Sequence, residues 1–207
     1  DSRGGGHFSG RITTPLVAAG VVCKKVLGDG VSVSARLIEV GGRDVAFAEE
    51  VVEAAMRDGD SVGGVIECRV TGLPVGLGSP FFDSVESVIS HAVFSVPAVR
   101  AIEFGAGFEA ARMRGSQHND NIIDAGGATQ TNNAAGVVGG ITNGNDIVFR
   151  VAITPTPSIS CPQMSYNLET QQVEELRIKG RHDCCIALRA PVVIEAATAI
   201  ALAQFEK

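Results

Sequence analysis

Apolar and polar positions along the chain alternate between two periods. Leu16, Ala19, Cys23 and Leu27 recur at helical spacing, which predicts a helix over residues 15–27. Thr13 or Thr14 can cap it, Pro15 suits its first turn and Gly28 stops it. On that face Cys23 is a packing residue. Residues 31–40 alternate with period two, Val31, Val33, Ala35 and Leu37 to one side, and predict a strand. The helical period returns over residues 44–57 and ends at Asp58 and Gly59, with Glu49, Glu50 and Glu53 on its solvated side. Residues 62–70 read as a second strand, Ile66, Cys68 and Val70 facing opposite to Glu67 and Arg69. After a turn-rich crossing at residues 72–80, Pro80 opens a helix running to about Phe94 that carries His91. Residues 99–104 form a strand that Gly105 and Gly107 break, residues 108–113 a short helical turn, and residues 147–153 another strand. The Ala-rich run over residues 191–205 predicts a closing helix buried against other elements or another subunit. Helices follow strand pairs in this order, which points to α+β layers and not to a regular βαβ array.

The core of such a fold has to be aliphatic. Tyr occurs once and Trp not at all, while apolar residues make up 45% of the 207 positions. The net charge of −6 argues against nucleic acid, whose phosphates demand a basic face. Arginines nonetheless stand beside Gly-rich or His-bearing motifs, at Arg3, Arg11, Arg181 and Arg189, so an anionic small molecule fits. The five cysteines are odd in number, scattered and without a CxxC pair, as expected of free thiols in a reducing compartment. No apolar run is long enough to span a bilayer.

Candidate chemistry concentrates in four places. Residues 125–146, AGGATQTNNAAGVVGGITNGND, hold six glycines and four asparagines, and no Lys or Arg falls between Arg114 and Arg150. A neutral, Gly-rich, partly apolar segment is either a wall against a flat, uncharged ring system or a buried crossing of backbone. Thr154, Pro155, Thr156, Pro157 and Ser158 follow the last strand. Alternate prolines force an extended path, on which three hydroxyls line up to bind a phosphate or simply decorate a linker. Near the start, GGGHFSGR at residues 4–11 loosely imitates a phosphate loop, but Arg11 stands for the required Lys and no strand precedes it. Finally, Arg181, His182 and Asp183 are adjacent and precede Cys184 and Cys185. His118 and Asp120 make a weak metal pair, lacking a third ligand nearby.

Taken in series, GGGHFSGR, DSVGG at residues 60–64, GLPVGLG at residues 72–78, GATQTNNAAGVVGGITNGNDI and GRHDCC at residues 180–185 resemble the chorismate synthase family. The motifs keep that family's order, and the resemblance covers nearly the whole chain as one domain over residues 1–207. It implies a β-α-α-β sandwich of α+β class, assembled as a cytoplasmic homotetramer. It implies a lyase of the shikimate pathway to the aromatic amino acids, which converts 5-enolpyruvylshikimate 3-phosphate to chorismate and phosphate by anti-1,4-elimination. The family requires reduced FMN and is associated with NADPH. By position, the resemblance assigns FMN contacts to His7, Phe8, Ser9, Pro97, Ala98, Gly139, Thr154, Pro155, Thr156, Pro157, Ser158 and Arg181. Substrate contacts fall to Ser9, Arg11 and Arg181, and proton removal near the flavin to Asp183.

The chain departs from the family's pattern in places. Thr154 stands where Lys is usual, which predicts a weaker phosphate contact. Ser79 replaces Glu, Pro97 replaces Asn, and Cys184 and Leu188 replace Pro. The family's GESHG and RPGHAD motifs, each with a catalytic histidine, have no counterpart, and His7, His91, His118 and His182 do not occupy those positions. From this the expectation is a chain truncated upstream of residue 1 that is inactive alone but keeps its assembly surfaces.

Overall fold

A computed structural model describes residues 6–180 and 182–205 of the chain. In chain order the elements are α1 (Thr14–Leu27), β1 (Ser32–Val40), β2 (Arg43–Asp44), α2 (Ala48–Arg57), β3 (Gly64–Thr71), α3 (Val85–Phe94), β4 (Val99–Phe104) and α4 (Gly115–His118). There follow β5 (Val137–Val138), β6 (Ile141–Thr142), β7 (Ile147–Ile153), β8 (Gln163–Asn167), β9 (Gln172–Leu176) and α5 (Pro191–Leu202). The fold is of α+β class, as the sequence indicates.

Five strands form one antiparallel sheet in the order β2-β1-β3-β7-β4. Alternation decides its two faces. Ile66, Cys68 and Val70 of β3 and Ile147, Phe149, Val151 and Ile153 of β7 are buried, on the sheet that α5 meets at β1 and β3 and α3 meets at β4, and Phe149 meets Phe104 with ring centroids 5.2 Å apart. The other face is polar and carries the ion pairs Arg36–Glu67, Arg69–Asp146 and Arg150–Glu103. Helix α5 is buried along almost its whole length, as predicted: it lies on the sheet and takes α1 on its other side.

The register lines up the strand ends. Val40 pairs with Gly64, Gly64 with Ile153, and Ile153 with Val99, so β1 ends, β3 starts, β7 ends and β4 starts in one row. The loops holding residues 60–64, 97–98 and 154–158 are therefore neighbours, although far apart in sequence. At the opposite end of the sheet Val70 pairs with Ile147 and Phe104 with Phe149, and there the Gly/Asn stretch enters β7.

Two local expectations are corrected, and one element is added. The inner face of α1 turns on Gly20, not Ala19, which is exposed. A Cβ on Gly20 would lie 2.5 Å from Ala196 Cβ and 2.6 Å from its Cα, so α1 and α5 approach at a distance only glycine permits. Helix α3 begins at Val85, not Pro80. Phe81 has φ +67°, which no α-helix accepts, and the Ser84 hydroxyl caps the helix by accepting from Ser87 N–H at 3.1 Å. The β8–β9 hairpin is absent from the periodicity reading because neither strand buries a face.

Candidate functional site

Four loops meet at the Gly64–Ile153–Val99 end of the sheet, and residues 60–64 bracket them. The Ser61 hydroxyl donates to Thr156 O at 2.6 Å, and Val62 N–H donates to Cys184 O at 2.9 Å. Gly63 and Gly64 permit the approach: a Cβ on Gly63 would sit 2.4 Å from Ile153 O, and one on Gly64 2.6 Å from Glu39 O. On the other side, Ala98 O accepts from Thr154 N–H at 2.9 Å and from the Thr154 hydroxyl at 3.3 Å. Ala98 holds φ +72°, a left-handed conformation costly for a residue with a Cβ. The structure thus brings together Pro97, Ala98, Thr154, Pro155, Thr156, Pro157, Ser158 and the segment that carries Asp183.

The three hydroxyls of residues 154–158 are not equivalent. That of Thr154 gives its proton to Ala98 O, so it has none left for a ligand. The Thr156 Oγ1 is buried and has no hydrogen-bond partner among the described residues, a costly state for a buried donor. Ser158 is half-buried. Asp183 is also half-buried and pairs with Arg189, 3.0 Å from Oδ2 to Nη1, while His182 Nε2 lies 3.2 Å from Ile178 O. A shallow groove of about 330 Å³ runs beside the bracket, with Arg43, Glu50, Asp58, Asp60 and Ser61 on its walls.

The cysteines here are not poised to react. Burial pushes the Cys184 and Cys185 thiols up from their ordinary value, with nearby Asp183 adding to the effect. Burial pushes Cys68 up to about 12, although its hydrogen bond to Thr198 works the other way.

The remaining sequence candidates lie elsewhere. His7, Ser9 and Arg11 precede α1. Ser9 caps the turn there by accepting from Arg11 N–H at 3.2 Å, and His7 and Arg11 are exposed. Arg181 and the Phe8 side chain lie outside the described residues. Gly139 stands at the far end of β7, next to α3: a Cβ on neighbouring Gly140 would meet Ser84 Cβ at 2.6 Å, while one on Gly139 would meet nothing within 4 Å.

The Gly/Asn stretch is in part the buried backbone crossing that its sequence allows. Ala135, Gly136 and Val137 are a buried crossing, and Val138 and Gly139 form an exposed tip. Its amides serve the loop itself. Asn132 accepts from Gly136 N–H at 2.7 Å and donates to Asp146 O at 2.8 Å, and Asn133 donates to His118 O at 3.2 Å. Asp120 ties the loop down, accepting from the Thr131 hydroxyl and from Asn133 and Ala134 N–H at 2.7–2.9 Å. A flat wall lying beside Asp183 is not what one chain presents.

Sequence reasoning gave residues 60–64 no role beyond the resemblance. Their adjacent glycines were the available signal, since a Gly pair at a strand start marks backbone crossing backbone.

The sheet and its converging loops define a class: an α+β protein that gathers chemistry-bearing loops at one end of an antiparallel sheet. Comparison with known proteins makes this specific. The family model for chorismate synthase matches residues 1–206, and the chain belongs to the chorismate synthase family. It is 63% identical over 205 residues to the chorismate synthase of Chitinophaga pinensis, covering 99% of this chain and 61% of that protein. To that of Korarchaeum cryptofilum it is 42% identical, covering 99% and 64%. A solved crystal structure of chorismate synthase matches with a TM-score of 0.78 at 28% identity, over 95% of this chain and 63% of that one. The chain thus spans 61–64% of the length of these curated relatives.

Proposed function

We propose that this chain supplies the FMN-phosphate cradle and part of the substrate wall of a chorismate synthase. That enzyme releases phosphate from 5-enolpyruvylshikimate 3-phosphate by anti-1,4-elimination. The observation that carries the reading is the buried Thr156 hydroxyl, without a partner among the described residues, set where Pro97–Ala98, residues 60–64 and residues 154–158 converge. A phosphate oxygen is the acceptor it lacks, so the residues present fit the phosphate end of the cofactor.

The chain's own groups divide the work. Thr156 donates to the phosphate, and Ser158 stands beside it. Ser61 and Ala98 hold the 154–158 backbone from either side, so the cradle is set before a ligand arrives, which lowers the cost of binding. Asp183 is the group assigned to take the proton, and its pair with Arg189 fixes the orientation of the carboxylate. Arg11 and Arg181 are assigned to the substrate's anionic groups, for which arginine forks are suited. Reduced FMN, when bound, supplies electron density to the allylic C–O bond as it breaks. Assembly as a homotetramer and a cytoplasmic setting belong to the same proposal. Among the described residues no helix is long and apolar enough to cross a membrane.

The test is an FMN titration followed by flavin fluorescence. The parent protein binds FMN, and Thr154→Lys, which places a cation beside the phosphate, tightens binding about tenfold, the effect of one charge-assisted contact. Absence of FMN binding by the parent, or an unchanged affinity in the variant, contradicts the cradle.

A further inference from the structure

Four asparagines lie in the Gly/Asn stretch, and the structure separates them by what the next amide in the chain does. A backbone N–H that follows an asparagine can attack its side-chain amide and close a five-membered ring, provided that N–H is unhindered and free. Asn132 and Asn133 are guarded. The amides that follow them belong to Asn133 and Ala134, and both donate to the Asp120 carboxylate, at 2.8 and 2.9 Å. Asn145 is followed by Asp146, whose side chain crowds the attacking nitrogen. Asn143 is followed by Gly144, which has no side chain and is exposed, and whose N–H has no acceptor among the described residues.

The target of that attack is held as well. Asn143 Oδ1 accepts two hydrogen bonds, from Asn145 N–H at 3.0 Å and from Asn145 Nδ2 at 3.1 Å. Neighbours fix the orientation of the Asn145 side chain: its Oδ1 accepts from Thr129 N–H at 3.2 Å, and its Nδ2 also donates to Gly127 O at 3.2 Å. Two donors already aimed at a carbonyl oxygen stabilise the negative charge that oxygen gains when a nucleophile adds to its carbon. The bond from Asn143 Oδ1 to the amide two residues on also folds the side chain back over Gly144.

We propose that Asn143 is a self-modifying residue: the folded loop promotes its own cyclisation and deamidation at Asn143–Gly144, with water as the only other reactant. Gly144 N gives its proton to solvent and bonds to Asn143 Cγ, while Asn145 holds the developing charge on Oδ1. The Cγ–Nδ2 bond then breaks, and Nδ2 takes up a proton and leaves as ammonia. Water opens the resulting succinimide at either carbonyl, to aspartate or to iso-aspartate. Nothing is oxidised or reduced: one water enters and one ammonia leaves. The product brings a carboxylate into a stretch that is otherwise uncharged up to Asp146. In the iso-aspartate form the main chain also runs through Cβ and Cγ, which lengthens it where Asn143 N–H is tied to Gly136 O at 2.9 Å.

Incubation of the purified protein in mildly alkaline buffer, followed by peptide mass spectrometry and hydroxylamine cleavage, tests this. Deamidation is expected at Asn143, with cleavage between Asn143 and Gly144, and not at Asn132 or Asn133. Unfolding in urea removes the hydrogen bonds from Asn145, so the native protein reacts at least about tenfold faster than the unfolded chain, the effect of one hydrogen bond to a charged group. Asn145→Ala removes one of the two donors and erases that excess, while its unfolded rate stays parental. Asn145→Asp guards against a loosened loop: it keeps the shape and the acceptor for Thr129 N–H, loses the Nδ2 donor and slows the native reaction as much. A native rate no higher than the unfolded one, a parental native rate in either variant, or equal deamidation at Asn132 or Asn133 overturns the proposal.

Discussion

Gly20→Ala sets two physical effects against each other with opposite signs. In a helix interior alanine is favoured over glycine by about 0.8–1.0 kcal/mol, so propensity alone predicts stabilisation. The structure predicts the reverse. The new Cβ would stand 2.5 Å from Ala196 Cβ and 2.6 Å from Ala196 Cα, where relaxed carbon contacts need ~3.5–4.0 Å. The second of these atoms is backbone and cannot rotate away. Helices α1 and α5 must therefore separate by roughly 1 Å along their main contact, and overpacking of this kind costs about 1–3 kcal/mol. Because backbone is involved the cost falls near the top of that range, leaving a net loss of ~2 kcal/mol and, for a chain of this size, roughly 4–8 °C in Tm. Urea denaturation followed by circular dichroism measures it: the midpoint falls and the slope m is unchanged. A raised midpoint would refute the close approach and return Gly20 to an ordinary helix position.

Other outcomes follow from the same geometry. Glu195→Ala removes the ion pair with Lys24 and leaves Ala35 N–H, now donating to Glu195 Oε2 at 3.1 Å, without an acceptor; a loss of about 1.5–3 kcal/mol in the denaturation midpoint is expected, and no loss would contradict the bridge. Burial pushes the Asp120 carboxyl up, but hydrogen bonds from Ala134, Thr131 and Asn133, with His118 nearby, outweigh it and hold the group below its ordinary value. Such a group stabilises the fold above its unfolded pKa of about 3.9 and loses that contribution as pH falls through the lower folded value. Between pH 5 and 3 the parent should therefore lose more stability than Asp120→Asn, and parallel pH profiles would be the contrary result. Thiol labelling of the native protein with a disulfide reagent should leave Cys68, pushed up to about 12 by burial, and buried Cys185 unmodified; rapid labelling of either would show that the core opens.

What the sequence discloses depends on whether a signal is local. Strands β3 and β7 are legible because one face of each is buried, so period two survives intact from Ile66 to Val70 and from Ile147 to Ile153. The closing helix is legible from its Ala-rich, almost wholly apolar run, in which Glu195 is the one charge. Ala19 and Gly20 are not distinguishable by hydropathy, since the choice between them is made by Ala196, far along the chain. The asparagines of the neutral stretch look like ligand groups, and a sequence cannot say that Asn132 and Asn133 satisfy their own loop. The same holds for Thr154, whose hydroxyl turns to Ala98, and for Thr156, whose hydroxyl has no partner among the described residues. The convergence of residues 60–64, 97–98 and 154–158 follows from antiparallel register across β3, β7 and β4. The same register, carried through β7, places Gly139 away from the cradle, which no motif foretells.

The central claim is that these loops serve an elimination on an anionic enolpyruvyl substrate with reduced FMN beside it. An anaerobic single-turnover assay of the purified protein, with 5-enolpyruvylshikimate 3-phosphate and reduced FMN, tests it most directly. The account predicts release of one phosphate per chorismate formed, lost in Asp183→Ala. Phosphate release without chorismate, or undiminished turnover in Asp183→Ala, would contradict it.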